Sequence, residues 1–337
     1  MKRFFAASTL CALAGLSDVA VAACAAPSAL SVEAEVVALK PDRLDGVRMV
    51  GAWVLTAPDP AFGGFSGLLV TNQVGAEPVA GAERGFVAVG DRGHEIAAFY
   101  RPASPDCILR VVVNRPLADE DGRPLGGDAA DAEALAIGRE GVLVAFERAH
   151  RIEYRDPAGA VITRADRVFQ RLSHNGGLEA LATVPEGVGG AGAGASAGDL
   201  IAIAEDPDAN GFPVFLLKGG IAARTAPIES RLVLPGPHRV TGADIGPDGT
   251  LYLVRRHFDR AIGVDIVVEA MPLSALFDED VASATRVLAQ FGPESGIDNM
   301  EGIAVSRDGP ETRLTILSDD NFNPDQRTLL VELSLAK

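Results

Sequence analysis

Cysteine, aromatic residues, positive charge and long apolar runs are all scarce in this sequence. Three cysteines in 337 residues exclude a disulfide scaffold, and no CxxC pair or Cys/His spacing marks a zinc site. Aromatics are only 5% of the chain, with one tryptophan, so the core must be mostly Val, Leu, Ile and Ala. Beyond the N-terminal segment no stretch approaches ~18 uninterrupted apolar residues, so no transmembrane helix is expected. Thirty Lys+Arg stand against 46 Asp+Glu, a net charge of −16, which leaves no basic face for nucleic acid or an anionic membrane. No G-x-G-x-x-G or P-loop follows a strand, so no nucleotide cofactor is indicated. The five histidines form no HExxH, and Ser66 in Gly64-Phe65-Ser66-Gly67-Leu68 lacks the last glycine of a nucleophile elbow.

What is present is apolar and turn-rich: 47% hydrophobic residues, 37 glycines and 21 prolines. The first residues read as a signal peptide over 1–22. Lys2 and Arg3 precede an apolar run from Phe4 to Leu16, and Ala20-Val21-Ala22 is a small-x-small cleavage site. Cleavage there removes two positive charges and one negative, taking the mature chain from −16 to −17. The expected location is the periplasm or the outside. Val21-Ala22-Ala23-Cys24 also resembles a lipobox, so a lipid anchor at Cys24 is the alternative. In an oxidising compartment Cys24 and Cys107 are candidates for a disulfide, against lipidation of Cys24 or free thiols.

Five segments repeat one pattern: a small or acidic residue inside a short apolar run, a turn, then a second apolar run ending in charge. Their anchors are Ser66, Glu133, Glu179, Asp244 and Glu301. Two further strand-like runs follow each pair, for example Arg151–Arg155 with residues 160–169, and 264–270 with 285–291. Four short strands per unit, repeated, predict an all-β fold: a β-propeller of four-stranded antiparallel blades, with five repeats visible and six the alternative. A β-sandwich is the competing all-β fold. The last unit lacks an outer strand, which Val47–Thr56 is expected to supply, closing the ring. The domain scheme is then a signal peptide (1–22), an N-terminal arm (23–46) and one propeller (47–337), expected to be monomeric. Residues 273–288 are the best helical candidate, and the glycine-rich residues 187–198 read as a loop inside blade three.

In such a fold the start of the first strand and the end of the second lie at the same mouth. Glu133, Glu179, Asp244 and Glu301, with Asp320, therefore converge there. Such carboxylates repel unless they are protonated, paired with arginine or share a cation. Oxygen ligands without Cys and with few His select a hard ion, most simply Ca²⁺, so these five residues are the candidate metal ligands. Salt bridges to arginine and capped strand ends are the alternative use of the same acids. Arginines at that mouth suit an anionic substrate, so Ser66, Arg92, Arg148 and Arg255 are candidate substrate contacts. Glu179, Glu301 and His174 are the candidate acid–base groups. Asp206-Pro207-Asp208-Ala209-Asn210-Gly211 copies half of a calcium loop, but Leu217 stands where Glu is required, and a capped turn is expected.

Gly63-Gly64-Phe65-Ser66-Gly67-Leu68, Gly90-Asp91-Arg92-Gly93, Gly177-Leu178-Glu179-Ala180-Leu181, Glu301-Gly302-Ile303-Ala304 and Ser318-Asp319-Asp320-Asn321-Phe322 resemble the phytase-like family, also called "esterase-like activity of phytase". The likeness runs from about Val50 to Leu335. It implies a bacterial, often exported propeller that hydrolyses phosphate or other esters, and it carries over to Ser66, Asp91, Arg92, Glu179, Glu301, Asp319 and Asp320. A small anionic ester is then the expected substrate. The alternatives are a lactonase of the gluconolactonase type and a non-enzymatic binding or scaffold propeller.

Overall fold

The computed structural model describes residues 29–71, 83–101, 108–191, 194–223, 225–278 and 281–335. Residues 1–28 and Cys107 fall outside these, so the signal peptide, the lipid anchor and the Cys24–Cys107 bridge do too. Among the described residues no helix is long and apolar enough to cross a membrane.

The chain is a five-bladed β-propeller with almost no helix. Blade I is Phe65–Thr71, Arg84–Gly90, His94–Tyr100 and Leu109–Pro116. Blade II is Ala132–Ile137, Val142–Phe146, Arg151–Arg155 and Val161–Ala165. Blade III is Leu178–Thr183, Leu200–Ala204, Phe212–Leu217 and Ile228–Leu232. Blade IV is Arg239–Ile245, Thr250–Asp259, Gly263–Pro272 and Arg286–Phe291. Blade V is Met300–Asp308, Glu311–Ser318, Leu329–Leu335 and Val47–Thr56. The five first strands touch in cyclic order, I to II to III to IV to V and back to I, which closes the ring without a free edge at its centre.

The pattern of burial follows from this stacking. First and second strands are covered on both faces and read as continuous apolar runs, as in Leu200–Ala204 and Val142–Phe146. The outer strand Val161–Ala165 alternates with solvent instead. The core lies between blades: Ile203, Val214 and Leu216 of blade III meet Ile245, Leu251 and Leu253 of blade IV.

Val47–Thr56 is the fourth strand of blade V. It pairs antiparallel with Leu329–Leu335, from Val47 opposite Leu335 to Val54 opposite Leu329, and buries Ala52, Trp53 and Leu55. The N-terminal arm is not separate from the propeller. Glu33–Val36 adds a fifth strand to blade V, and Arg43–Leu44 adds one to blade IV. These short charged segments cover two outer edges. Deleting through Thr56 removes the closing strand with Trp53 and Leu55. At about 1.5–3 kcal/mol per large buried side chain, it should cost more than about 5 kcal/mol. A deletion ending at residue 28 should leave the melting temperature unchanged; equal melting of the two truncations would refute closure by this strand.

Residues 273–288 form no continuous helix. A 3₁₀ turn, Leu273–Phe277, and a single helical turn, Val281–Ala284, lead into the strand Arg286–Phe291. The apolar residues that suggested a helix serve the blade III–IV core through Leu273, Leu276 and Val281. The glycine-rich segment lies between the first two strands of blade III and carries a short ribbon, Gly189–Ala191 with Ala195–Ser196.

Candidate functional site

Each first strand carries a register break at its mouth end. The breaks fall at Ser66, Glu133, Glu179, Thr241 and Glu301. A bulge adds one unpaired residue and re-aims its side chain. Here the five bulged residues form a buried ring. The next residue is always small: Gly67, Ala134, Ala180, Gly242 and Gly302. The reason is steric. A Cβ on Gly242 would come within 2.2 Å of the Glu301 backbone oxygen. Gly242→Ala should therefore force the first strands of blades IV and V apart and cost about 1–3 kcal/mol. A denaturant midpoint equal to wild type would contradict that packing.

Two further sets of equivalent positions surround the ring. Two residues before each bulge stand Gly64, Asp131, Gly177, Arg239 and Asn299. Opposite them, at the ends of the second strands, stand Asp91, Glu147, Glu205, Arg256 and Asp319. The amides of Asp91, Glu147, Glu205 and Asp319 donate to the carbonyls of Gly64, Asp131, Gly177 and Asn299 at 2.8–3.0 Å, and Arg256 pairs with Arg239. The mouth thus collects the carboxylates of Asp91, Asp131, Glu133, Glu147, Glu179, Glu205, Glu301 and Asp319.

Burial and mutual repulsion raise several of these carboxyls. Desolvation, then the charges of Glu301 and Asp131, pushes Glu133 well above the usual carboxylate range, although the Ser66 hydroxyl donates to it. Desolvation and the charge of Glu133 do the same to Glu179. Burial moves Asp131 up to about 6 against the opposing pull of Arg148. Burial and Glu301 move Asp319 up to about 8. Arg256 lies 3.4 Å from Glu205 and 3.6 Å from Glu301, and Arg148 lies 3.0 Å from Asp131.

The acids are not spread evenly. Asp131, Glu133 and Glu147 each place a carboxylate oxygen within 4.8 Å of the other two, and all three are buried. Two ligands across a calcium ion stand about 5 Å apart, so this spacing suits a hard cation bound by oxygen alone. Asp131 Oδ2 is buried without a hydrogen bond, its charge met only by the Arg148 guanidinium. The axial channel below, lined by Ser66, Glu179, Glu301 and the small residues, has a volume of about 10 Å³. That admits on the order of one water, so any organic ligand must sit above the ring.

Among the residues expected from sequence, Ser66, Glu133, Glu179 and Glu301 do come together in the ring. Asp244 does not. The register makes Thr241 its blade IV member, and the Asp244 carboxylate, three residues deeper, accepts from the amides of Ile245 at 2.8 Å and Val305 at 2.7 Å. It straps blade IV to blade V. Asp320 is also spent: Oδ1 accepts from the amides of Gly64 and Phe322, and Oδ2 from the Thr328 hydroxyl. Arg255 faces away from the mouth, buried against Glu269 and the carbonyls of Pro235 and His238. Alternation along the strand gives the mouth to its neighbour Arg256. His174 is exposed in the turn before the first strand of blade III. Arg92 stays at the mouth, its guanidinium 3.4 Å above the Phe322 ring. The Asp208–Gly211 segment is a turn capped by the Asp208 side chain.

The described non-glycine residues with positive φ are Arg148, Asn321 and Phe322, and all lie at this mouth. Strained backbone of this kind clusters at functional sites. Gly64, at φ +59°, is held against them: its Cβ would meet the Phe322 ring at 2.3 Å and Asp91 Oδ1 at 2.5 Å. Sequence reasoning missed Asp131 and Thr241, and chose neither Glu147 nor Arg256 from the mouth-side strand ends. Asp131 was legible as a residue two before Glu133 on the same strand face. Thr241-Gly242 was legible as another ring-plus-small dipeptide.

Fold and mouth together define a five-bladed propeller with an acidic, cation-compatible face. The sequence matches the family described as "Phytase-like: Esterase-like activity of phytase" over residues 60–322, and the chain belongs to that family. No curated protein matches the chain. Solved structures of similar fold include glutaminyl cyclase from Myxococcus xanthus, at 10% identity over 85% of this chain and 95% of that one, TM-score 0.45. An α-L-arabinofuranosidase from Podospora anserina is similar at 9% identity over 82% and 93%, TM-score 0.45. A gluconolactonase from Xanthomonas campestris is similar at 13% identity over 91% and 98%, TM-score 0.42.

Proposed function

We propose that this propeller hydrolyses a small anionic ester, a phosphoester foremost, with a hard divalent cation, calcium first, at Asp131, Glu133 and Glu147. The observation that carries this reading is the compact buried carboxylate triad inside a mouth that also presents Arg92, Arg148 and Arg256. Membership of a family described by esterase-like activity supports the class of reaction. Asp131, Glu133 and Glu147 would hold such a cation, which would polarise the phosphoryl or carbonyl oxygen of the ester and lower the pKa of a bound water. The chain's own groups do the rest. Arg148 and Arg256 face the acids on one side and meet an anionic group on the other. Glu179, its carboxyl raised well above the usual carboxylate range by burial and the charge of Glu133, is the group placed to donate a proton to a leaving alcohol. The narrow channel keeps the substrate at the mouth. On the same reading the N-terminal segment exports the protein to the periplasm or beyond, where it works as a monomer.

The test is turnover of p-nitrophenyl phosphate, p-nitrophenyl acetate and a lactone, each with calcium or EDTA. Calcium-dependent hydrolysis of the phosphate ester, with Glu179→Gln lowering kcat about 100-fold, is the expected result. No turnover of any of the three would make the protein a binding propeller.

A further inference from the structure

A cavity bordering the mouth lies outside the carboxylate ring and shares only Arg148 with the chemistry above. It measures about 500 Å³ and is lined by Arg148, Ala149, His150, Arg151, Arg164, Asp166 and Gln170. Arg148 to Arg151 form the mouth-side turn of blade II; Arg164 to Gln170 end its outer strand and begin the passage to blade III. Three arginines around one cavity are notable in a chain of net charge −16.

They are held for different purposes. Arg151 is immobilised: it donates to Glu153 and to the carbonyls of Ala149 and Ala129, with its guanidinium stacked 3.6 Å from the Phe146 ring. It supplies fixed positive field. Arg164 is half exposed and meets Asp166 and Glu120 only at 3.8 and 4.0 Å, beyond hydrogen-bond distance. It is free to turn toward a ligand. Arg148, 38% exposed, spends one terminal nitrogen on Asp131 and lines the cavity as well, so it forms a wall shared with the acidic triad.

His150 adds an independent sign. Its Nε2 lies 2.8 Å from the Ser173 carbonyl, which can only accept, so Nε2 carries the proton. Nδ1 is then a bare acceptor, and among the described residues it is buried without a partner. The hydroxyl of a ligand such as a hydrogen phosphate can donate to it. Exposed Gln170 offers an amide donor at the rim.

We propose that this blade II cavity is an oxyanion-binding site, taking a phosphate or carboxylate group between Arg148 and Arg164 with His150 on its wall. Two sources present that chemistry: a second acidic group on the substrate held at the mouth, or a free anion. The first of these rests on the hydrolase reading; the site itself does not.

The experiment titrates inorganic phosphate into the full-length protein by calorimetry at low salt, with EDTA present to silence the carboxylate triad. Saturable one-to-one binding is expected, weakened at least fivefold by Arg164→Gln and unchanged by Glu133→Gln. Arg164 is exposed on an outer strand, so Arg164→Gln should melt like wild type, and a melting curve checks it. Absence of saturable binding, or binding that Arg164→Gln leaves intact, overturns the proposal whether or not the protein turns over an ester. Kinetics then separate the sources. If the substrate supplies the group, Arg164→Gln raises KM for an aryl ester bearing a second phosphate and spares p-nitrophenyl phosphate. If a free anion fills the site, phosphate changes the rate on p-nitrophenyl phosphate in wild type and not in Arg164→Gln.

Discussion

Glu133→Gln combined with Glu147→Gln should abolish the rise in melting temperature that calcium gives the wild type, whereas Glu179→Gln with Glu301→Gln should retain it. A cation bound only by the folded state stabilises by about 2.7 kcal/mol at a hundredfold above its dissociation constant. For a domain of this size that is on the order of 5 °C. The compact triad is Asp131, Glu133 and Glu147, and the ring members Glu179 and Glu301 lie outside it. Glutamine keeps an acceptor for the Gly177 amide, which now donates to Glu147 at 3.1 Å, so the turn before blade III should survive the substitution. Magnesium should restore less than calcium because it demands a tighter octahedron. Differential scanning calorimetry in EDTA and in millimolar calcium decides the matter. Identical wild-type melting in both would reduce the mouth to a network of protonated acids and arginine pairs. Loss of the response in the Glu179/Glu301 variant alone would move the cation to the channel axis.

In EDTA, stability should rise as pH falls from 8 toward 5, opposite to a protein whose acids are all salt-bridged. Burial raises Asp244 from 3.8 to about 7, and burial with Glu301 raises Asp319 to about 8. Glu133 and Glu179 are raised in the same direction. Between the unfolded and folded pKa values the folded state binds more protons. Unfolding free energy therefore falls with rising pH from near 4 through about 8. Below about 4 the slope reverses. Asp59, held down by the Ala61 amide, and Asp199, held down by Lys218 and two amides despite its burial, must then be protonated. The melting temperature should peak near pH 4 and drop by on the order of 5 °C by pH 8. Asp244→Asn should remove part of the slope. A melting temperature that climbs steadily from pH 5 to pH 8 in EDTA would refute the protonated state of these acids.

The blades were legible in the chain because a strand's side-chain period and its turn punctuation are local. That is why Val47–Thr56 was recognisable as the strand the last unit lacked, and the structure pairs that same span with Leu329–Leu335. The site was legible to the extent that it repeats. Ser66, Glu133, Glu179 and Glu301 recur with a small residue behind them, and they do form the ring. Asp244 and Arg255 misled because a slip of one to three positions along a strand changes face or depth. Which of the neighbouring residues bulges out of the ladder depends on the partner strand, as at Thr241 opposite Val254 and Arg255. Asp131 and Arg256 belong to no repeated chemical type, so the repeat did not single them out, and the register of the strands brings them to the mouth.

By itself the sequence determined an all-β repeat, five units of which four end in an acid, a closing N-terminal strand and membership of a family, since all of these are written in local pattern. Tertiary structure decided which acids become neighbours. Pairing of the first two strands of blade II brings Asp131, Glu133 and Glu147 within 4.8 Å of one another, and only the closed ring lets Arg256 of blade IV reach Glu205 of blade III and Glu301 of blade V. Charge interaction depends on distance and burial. Distance within the triad is set by the blade II hairpin, and burial by the ring that closes over it.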